Sequence, residues 1–196
     1  MRLLPNGPRS VLAEFASLDD VMAAAAAWRA AALPGVIELV PAARTVMIVH
    51  DGGFDAATLP SFDVASRSPE APLVEVPVIY DGADLADVAA ACGLDVDEVI
   101  ALHSAAEYTC AFCGFMPGFS YLVGLDPRLQ LPRRATPRIR VPAGAVAIAA
   151  DFTAVYPGES PGGWHLLGRT ELAMWDERRE VAATLPPGSR VRFVQR

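Results

Sequence analysis

Apolar and polar positions change period along the chain. Over residues 18–33, Leu18, Val21, Met22, Ala25, Trp28 and Ala32 recur three or four apart, the spacing of one helix face. Asp19 and Asp20 stand at its start and Pro34-Gly35 at its end, so a helix is expected over Leu18–Leu33. Short apolar runs surround it: Val11–Phe15 before, then Val36–Val40 and Thr45–His50, parted by Pro-Ala-Ala-Arg as in a hairpin. Together they predict a small β-α-β-β lobe. Residues 69–72 read as a linker, which divides the chain into domains at 1–72 and 73–196. In the second domain Leu73–Tyr80 reads as a strand and two short helices follow. Asp84 is expected to cap Leu85–Ala91, with Gly93 just past its end, and Asp95 with Glu98 makes a capping-box start for Val96–Ser104. From Tyr108 onward the runs are short and read as strands between Pro and Gly turns: Tyr108–Phe112, Val146–Ala150, Trp164–Leu167, Leu172–Trp175 and Arg190–Val194. Many short strands between Pro and Gly turns predict a barrel or sandwich.

Composition narrows the function. With 53% hydrophobic residues in 196, a sizeable core can form. No apolar run approaches the ~18 residues of a membrane-spanning helix, and the first ten residues, MRLLPNGPRS, lack the apolar stretch of a signal peptide. A cytoplasmic protein is the expectation, and three cysteines, an odd number, fit a reducing compartment. The net charge of −7 argues against nucleic acid as the main partner. The charge is unevenly placed. Between Val76 and Pro127 there are eight acids and no Arg, whereas Arg128, Arg133, Arg134, Arg138 and Arg140 follow with no acid among them. Such a basic segment can hold a carboxylate, a phosphate or an acidic partner surface, or serve solubility and internal ion pairs. All 16 basic residues are Arg, which excludes a Schiff-base lysine, a P-loop lysine or a lysine base.

Three motifs look like chemistry and read better as structure. Cys110-Ala-Phe-Cys113 is a C-x-x-C, but Gly114 and Pro117 prevent the helix that lowers a thiol pKa in thioredoxin-like sites, and no second Cys or His pair completes a zinc site. Strand alternation would throw the two thiols to opposite faces. Gly158-Glu-Ser160-Pro-Gly162 fits G-x-S-x-G, yet Pro161 removes the N–H an oxyanion hole needs. Gly163-Trp-His-Leu-Leu-Gly168-Arg169-Thr170 fits a P-loop except that Arg replaces Lys and the intervening residues read as strand.

The segments GFMPGFSYLVGL (114–125), PRRATPRIRVPAGAVAIA (132–149) and YPGESPGGWHLLGRT (156–170) closely resemble the KipI / allophanate hydrolase subunit 1 family. The resemblance is strong over about 73–180. Over 1–72 it rests on element order and fragments such as VLAEF, and Gly7-Pro8 stands where the family has Gly-Asp. It implies an α+β protein: a ferredoxin-like N-terminal lobe and a cyclophilin-like β-barrel C-terminal lobe. It implies a subunit of an ATP-dependent 5-oxoprolinase, which turns 5-oxoproline into glutamate. The partners would be a KipA-like (allophanate hydrolase subunit 2) protein and a LamB/YcsF-type subunit, and ATP would be bound somewhere in the complex. Alternatives within the resemblance are a biotin-dependent urea carboxylase component, of which this lysine-free chain cannot be the biotin carrier, and a KipI-like histidine-kinase inhibitor.

The candidate catalytic residues are His103, Arg138 and Arg169. Arg138 and Arg169 sit in motifs that match the family and offer forks for an anionic substrate; an ion pair of Arg169 with Glu171 or Asp176 is the structural alternative. His103, beside Ser104 at the end of the second helix of that lobe, offers proton transfer, with helix capping as its structural alternative. Tyr121, Tyr156, Ser160, Gly162, Gly163 and Trp164 are the expected substrate-binding residues: aromatic walls, hydroxyls, and glycines that let a ligand or partner backbone come close. His165 reads as structural, His50 reads as a surface residue at a strand end, and no metal site is expected.

Overall fold

Ser17 decides where the first helix begins. In the computed structural model, which describes residues 1–64 and 73–196, Ser17 Oγ accepts the Asp20 N–H at 3.1 Å, and α1 runs Leu18–Ala30. The linker expected at 69–72 lies outside the described residues. The chain divides into two units, Met1–Glu70 and Ala71–Arg196.

In the first unit, α1 buries Val21, Ala24, Ala25 and Trp28 together with Phe15 and with Ala13, Val46 and Ile48 of a four-stranded sheet. Its strands are β1 (Arg2–Pro5), β2 (Ser10–Glu14), β3 (Val36–Pro41) and β4 (Thr45–His50), in the order β1-β2-β4-β3, with every pairing antiparallel. Trp28 Nε1 donates to Pro60 O at 3.1 Å, which satisfies its one donor inside the core. The strand β1 escapes sequence reading because only its two central residues are partly covered.

In the second unit, β5 (Leu73–Val78) leads to α2 (Leu85–Cys92) and α3 (Val96–Ala105). Both sides of the capping box at Asp95 and Glu98 are formed, and Gly93 ends α2 in the left-handed region. The strands that follow among the described residues are β6 (Tyr108–Cys113), β7 (Ser120–Val123), β8 (Arg138–Val141), β9 (Ala145–Ala149), β10 (Phe152–Val155), β11 (Ser160–Gly162), β12 (His165–Arg169) and β13 (Arg190–Gln195). One seven-stranded sheet has the order β12-β9-β10-β7-β6-β13-β5, while β8 and β11 pair separately. The two ends of the seven-stranded sheet meet: Ile79 and Arg169 exchange backbone hydrogen bonds of 2.9 Å, and Gly82 N–H reaches Leu167 O at 3.1 Å. The sheet is thereby closed into a barrel, which leaves no open edge at the seam.

Alternation along the strands separates two apolar layers. Val76, Tyr108, Leu122, Val146, Ile148, Val155, Leu167 and Phe193 turn to one side and pack with Val88 and Val99 of the helices. Every strand of the closed sheet contributes to this cluster, so it is the barrel interior. Ala145, Ala147, Ala149 and Ala154 turn to the other side, where Phe119, Tyr156, Trp164 and Leu166 cover them. The small alanines let large rings lie close on the outer wall.

The structure corrects two local expectations here. Leu172–Trp175 is not a strand; only an isolated bridge joins Trp175 to Ala183, and Met174 is drawn into the barrel interior from a loop. Cys110 and Cys113 are not on opposite faces. A bulge in β6 pairs Cys110 with Leu122, Phe112 with Tyr121 and Cys113 with Ser120, so the alternation restarts between the two thiols.

Candidate functional site

The barrel seam is where charge gathers. Asp84 follows the seam glycine Gly82, and its backbone N–H donates to Leu166 O at 3.1 Å. The cap expected of Asp84 on α2 does not form: its side chain makes no hydrogen bond to the helix. Instead the carboxylate, only 1% exposed, turns toward β8 and β12. Arg138 grips it with both prongs, Nη1 to Oδ2 at 2.8 Å and Nη2 to Oδ1 at 2.6 Å. Arg134 Nη1 donates to Oδ1 as well, and the Leu166 N–H donates to Oδ2 at 2.7 Å. Burial alone would push the carboxyl pKa up. The Arg138 hydrogen bonds, the Leu166 amide and the charges of Arg138 and Arg134 outweigh it and hold Asp84 below its ordinary 3.8. One carboxylate against two guanidiniums leaves the cluster one positive charge in excess, on side chains still 24% and 30% exposed.

Backbone pairing fixes the arginines. Arg134 N–H donates to Gly163 O at 2.8 Å, and the β8–β11 pairing sets Arg138 opposite Gly162. Beside them stand the rings of the outer wall. Trp164 and Tyr156 meet Phe119 edge-on at 5.5 and 5.2 Å, Tyr121 meets Trp164 at 5.7 Å, and Tyr121 stacks on Phe112 at 4.5 Å. The Tyr156 hydroxyl is pushed up by burial, offset in part by the Trp164 amide and by the charges of Arg133 and Arg138. Among the described residues, three buried polar atoms have no hydrogen-bond partner: Arg134 Nε, Ser160 Oγ and His165 Nδ1. His165 Nε2 donates to Pro132 O at 2.9 Å. All three residues belong to the segments that hold the arginines. A basic cluster beside an aromatic wall suits a small, flat, anionic molecule.

The structure gathers some of the expected residues and separates others. Arg138, Tyr121, Tyr156, Ser160, Gly162, Gly163 and Trp164 lie in the connected strip just described. At Gly162 the close approach is made by Tyr156, whose Oη would lie 2.4 Å from an added Cβ. Arg169 stands apart from the Asp84 cluster; it is exposed and pairs with Asp81 at 2.9 Å, not with Glu171 or Asp176. The residues 165–169 of the P-loop-like motif are the strand β12. Asp84 and Arg134 escape sequence reading as site residues. Their signal in the chain is faint: an acid just after Gly82 on one side and the arginine-rich segment on the other, 50 positions apart.

His103 lies inside the barrel core and is fully buried. Its ring stacks on Phe193 at 4.5 Å, with Tyr80 Oη 2.7 Å from Nδ1 and Thr153 Oγ1 2.9 Å from Nε2. Thr153 gives its own proton to Ala147 O at 3.1 Å, so it accepts from Nε2–H and Nδ1 accepts from Tyr80. Burial pushes the His103 pKa down to about 3. That environment keeps the ring neutral and offers no support for the expected proton transfer. Because the folded pKa lies below the unfolded 6.5, the unfolded chain binds the extra proton between pH 6.5 and 3, and stability falls as pH falls through that window. At pH 5 the loss is about 2 kcal/mol. Urea unfolding near pH 7.5 and pH 5 should show that drop in the wild-type chain and a smaller one in His103→Gln; equal drops would mean that His103 is not the responsible group.

No described helix is long and apolar enough to cross a membrane, and no cluster of three or more His, Cys, Asp or Glu forms among the described residues. A closed barrel with two helices packed on its core, in one chain with a small antiparallel α+β unit, is an architecture found in carboxyltransferase domains. The chain belongs to the family described as carboxyltransferase domain, subdomain C and D, whose model matches residues 1–185. It is 41% identical over 182 residues to a 5-oxoprolinase subunit of Escherichia coli O157:H7, covering 85% of this chain and 83% of that protein. It is 36% identical over 196 residues to the 5-oxoprolinase subunit of the same kind in Bacillus subtilis (strain 168), covering 89% and 82%. Among solved structures, TTHA0988 matches with a TM-score of 0.81 and 38% identity over 96% of this chain, which spans 40% of the length of that one. The Kluyveromyces lactis urea carboxylase matches with a TM-score of 0.74 at 19% identity, covering 99% of this chain and 21% of that one, a likeness of fold.

Proposed function

We propose that this chain is one subunit of a multi-subunit, ATP-dependent 5-oxoprolinase that opens the lactam of 5-oxoproline to glutamate. The observation that carries the reading is the 41% identity to a 5-oxoprolinase subunit over 85% of the chain. The site is chemically suited to it. 5-Oxoproline is small, flat and singly negative, and the Asp84–Arg134–Arg138 cluster carries one positive charge in excess beside Trp164 and Tyr121. Arg138 orients the substrate carboxylate or a charged intermediate, and Asp84 acts through Arg138 by holding its fork in place. Tyr121, Tyr156, Ser160, Gly162, Gly163 and Trp164 shape the surrounding wall, and Arg169 and His103 serve the seam and the core. The partners are a KipA-like second subunit and a LamB/YcsF-type third, with ATP bound within the complex and an active site shared between chains, in the cytoplasm.

The test is reconstitution. The three purified components with ATP should convert 5-oxoproline to glutamate, and the chain should co-purify with its KipA-like partner. Glutamate no higher than in a partner-free control would overturn the reading, as would carboxylation of urea by the pair when a carboxylated biotin carrier is supplied. Within the working complex, Arg138→Ala should lower turnover on the order of 100-fold, the worth of a charged hydrogen-bonded contact, while partner binding persists. A folded Arg138→Ala chain that no longer binds its partner would assign the residue to the interface instead.

A further inference from the structure

The bulge in β6 gives the C-x-x-C a geometry that strand spacing alone denies it. Three residues of regular strand span ~10 Å, too far for a disulfide, which needs Cα atoms within about 7 Å. Here Cys110 lies opposite Leu122 and Cys113 opposite Ser120. The two cysteines therefore span the same length as two residues of β7, ~6.7 Å, and they face the same way. Both pack on the barrel-interior cluster, while Phe112 between them points outward to Tyr121 and Phe152. The two thiols are near enough that each shifts the titration of the other, and Cys110 Sγ donates to Phe112 O at 3.7 Å. Both are free, Cys110 fully buried and Cys113 partly open to solvent. Around Cys113 Sγ lie Ser120 Oγ and Leu185 O, each at 3.6 Å.

We propose that Cys110 and Cys113 are a redox modification site, closing to an intramolecular disulfide when the protein meets a hydroperoxide. Cys113 is the attacking thiol. The neighbouring Cys110 thiol, against the opposing effect of burial and with help from Ser120, holds Cys113 below the ordinary thiol range, while Cys113 and burial push Cys110 up. The Cys113 thiolate takes the terminal oxygen of the peroxide: an S–O bond forms, the O–O bond breaks, and the leaving oxygen takes a proton to depart as water or alcohol. Cys110 then attacks the sulfenic sulfur; the S–S bond forms, hydroxide leaves, and the Cys110 proton converts it to water. The two sulfurs lose two electrons in total and the peroxide gains them. A dithiol reductant reverses the change. The site is independent of the proposed activity, and it adjoins the Gly114–Phe119 turn through which β6 enters the aromatic wall.

The experiment uses the reduced full-length chain and hydrogen peroxide at stoichiometric amounts near neutral pH, followed by alkylation and mass spectrometry. The expected product has lost two hydrogen atoms, is alkylated at Cys92 only, and recovers three free thiols with dithiothreitol. In Cys110→Ser, Cys113 should instead stop at the sulfenic acid and be trapped by dimedone. The proposal is overturned if all three cysteines remain equally alkylatable after peroxide, if Cys113 of the wild-type chain proceeds to sulfinic acid, if the disulfide joins two chains, or if it forms as fast in guanidinium-denatured protein.

Discussion

Gly168→Ala should lower the melting temperature of the barrel unit on the order of 10 °C, from a loss of about 3 kcal/mol. A Cβ at Gly168 would lie 2.3 Å from Ile79 O and 3.0 Å from Tyr80 Cα, and one at Gly82 would lie 2.3 Å from Leu166 O. Every neighbour is backbone across the seam, so none can swing away, and the two strands must part to admit the methyl group. Parting them breaks the paired Ile79–Arg169 hydrogen bonds that close the barrel. Gly158→Ala is the matched control. Its nearest neighbour is the flexible tip of Met116 at 3.1 Å, so the cost there should stay within about 1 kcal/mol. Thermal melts of the two variants beside the wild-type chain decide the matter. A Gly168→Ala chain melting where Gly158→Ala melts would show that the seam yields freely.

Asp84→Asn should cost about 3 kcal/mol of stability near neutral pH, because it keeps the size of the side chain and removes the charge that two guanidiniums share. The exposed flanks of Arg134 and Arg138 let them recover some hydration, so the loss sits at the lower end for a broken buried pair. The sign with pH follows from the depressed pKa. The carboxylate contributes its stability above 3.8, and that contribution is lost as pH falls through the lower folded value. Wild-type and Asp84→Asn chains should therefore differ by a constant amount from about pH 5 to 8 and converge in stronger acid. Urea unfolding across that range measures it; a gap that persists undiminished in strong acid would remove ionic pairing as its source. In the reconstituted enzyme the same variant should lose turnover through a loosened Arg138.

Local order is legible wherever a few adjacent residues settle it. The start of α1 follows from the Asp19-Asp20 turn, the end of α2 from Gly93 and the start of α3 from the Asp95–Glu98 box, whereas α1 ends at Ala30, short of the expected Leu33. Thr45–His50 and Arg190–Val194 follow from short runs rich in apolar residues. The motifs around Gly114, Arg138 and Gly162 mark a candidate site in the chain because turn residues, rings and arginines are dense there. Trp164 and Tyr156 hold places in that wall that their rings alone suggest.

Other features need segments far apart in the chain to meet. Asp84 reads as a helix cap when only its neighbours are known; Arg134 and Arg138, 50 and 54 positions away, make better partners than the helix amides and take it over. Gly168 shows no reason in the chain for being glycine until Ile79 lies against it. His103 reads as a titrating helix-end residue until Phe193, Tyr80 and Thr153 enclose it. Cys110 and Cys113 read as opposed until β7 pairs with β6 two residues against three. Propensity, capping and patterning act over a few bonds and are written in the chain; desolvation, ion pairing and strand register depend on which distant groups exclude water together, and the closed barrel alone determines that.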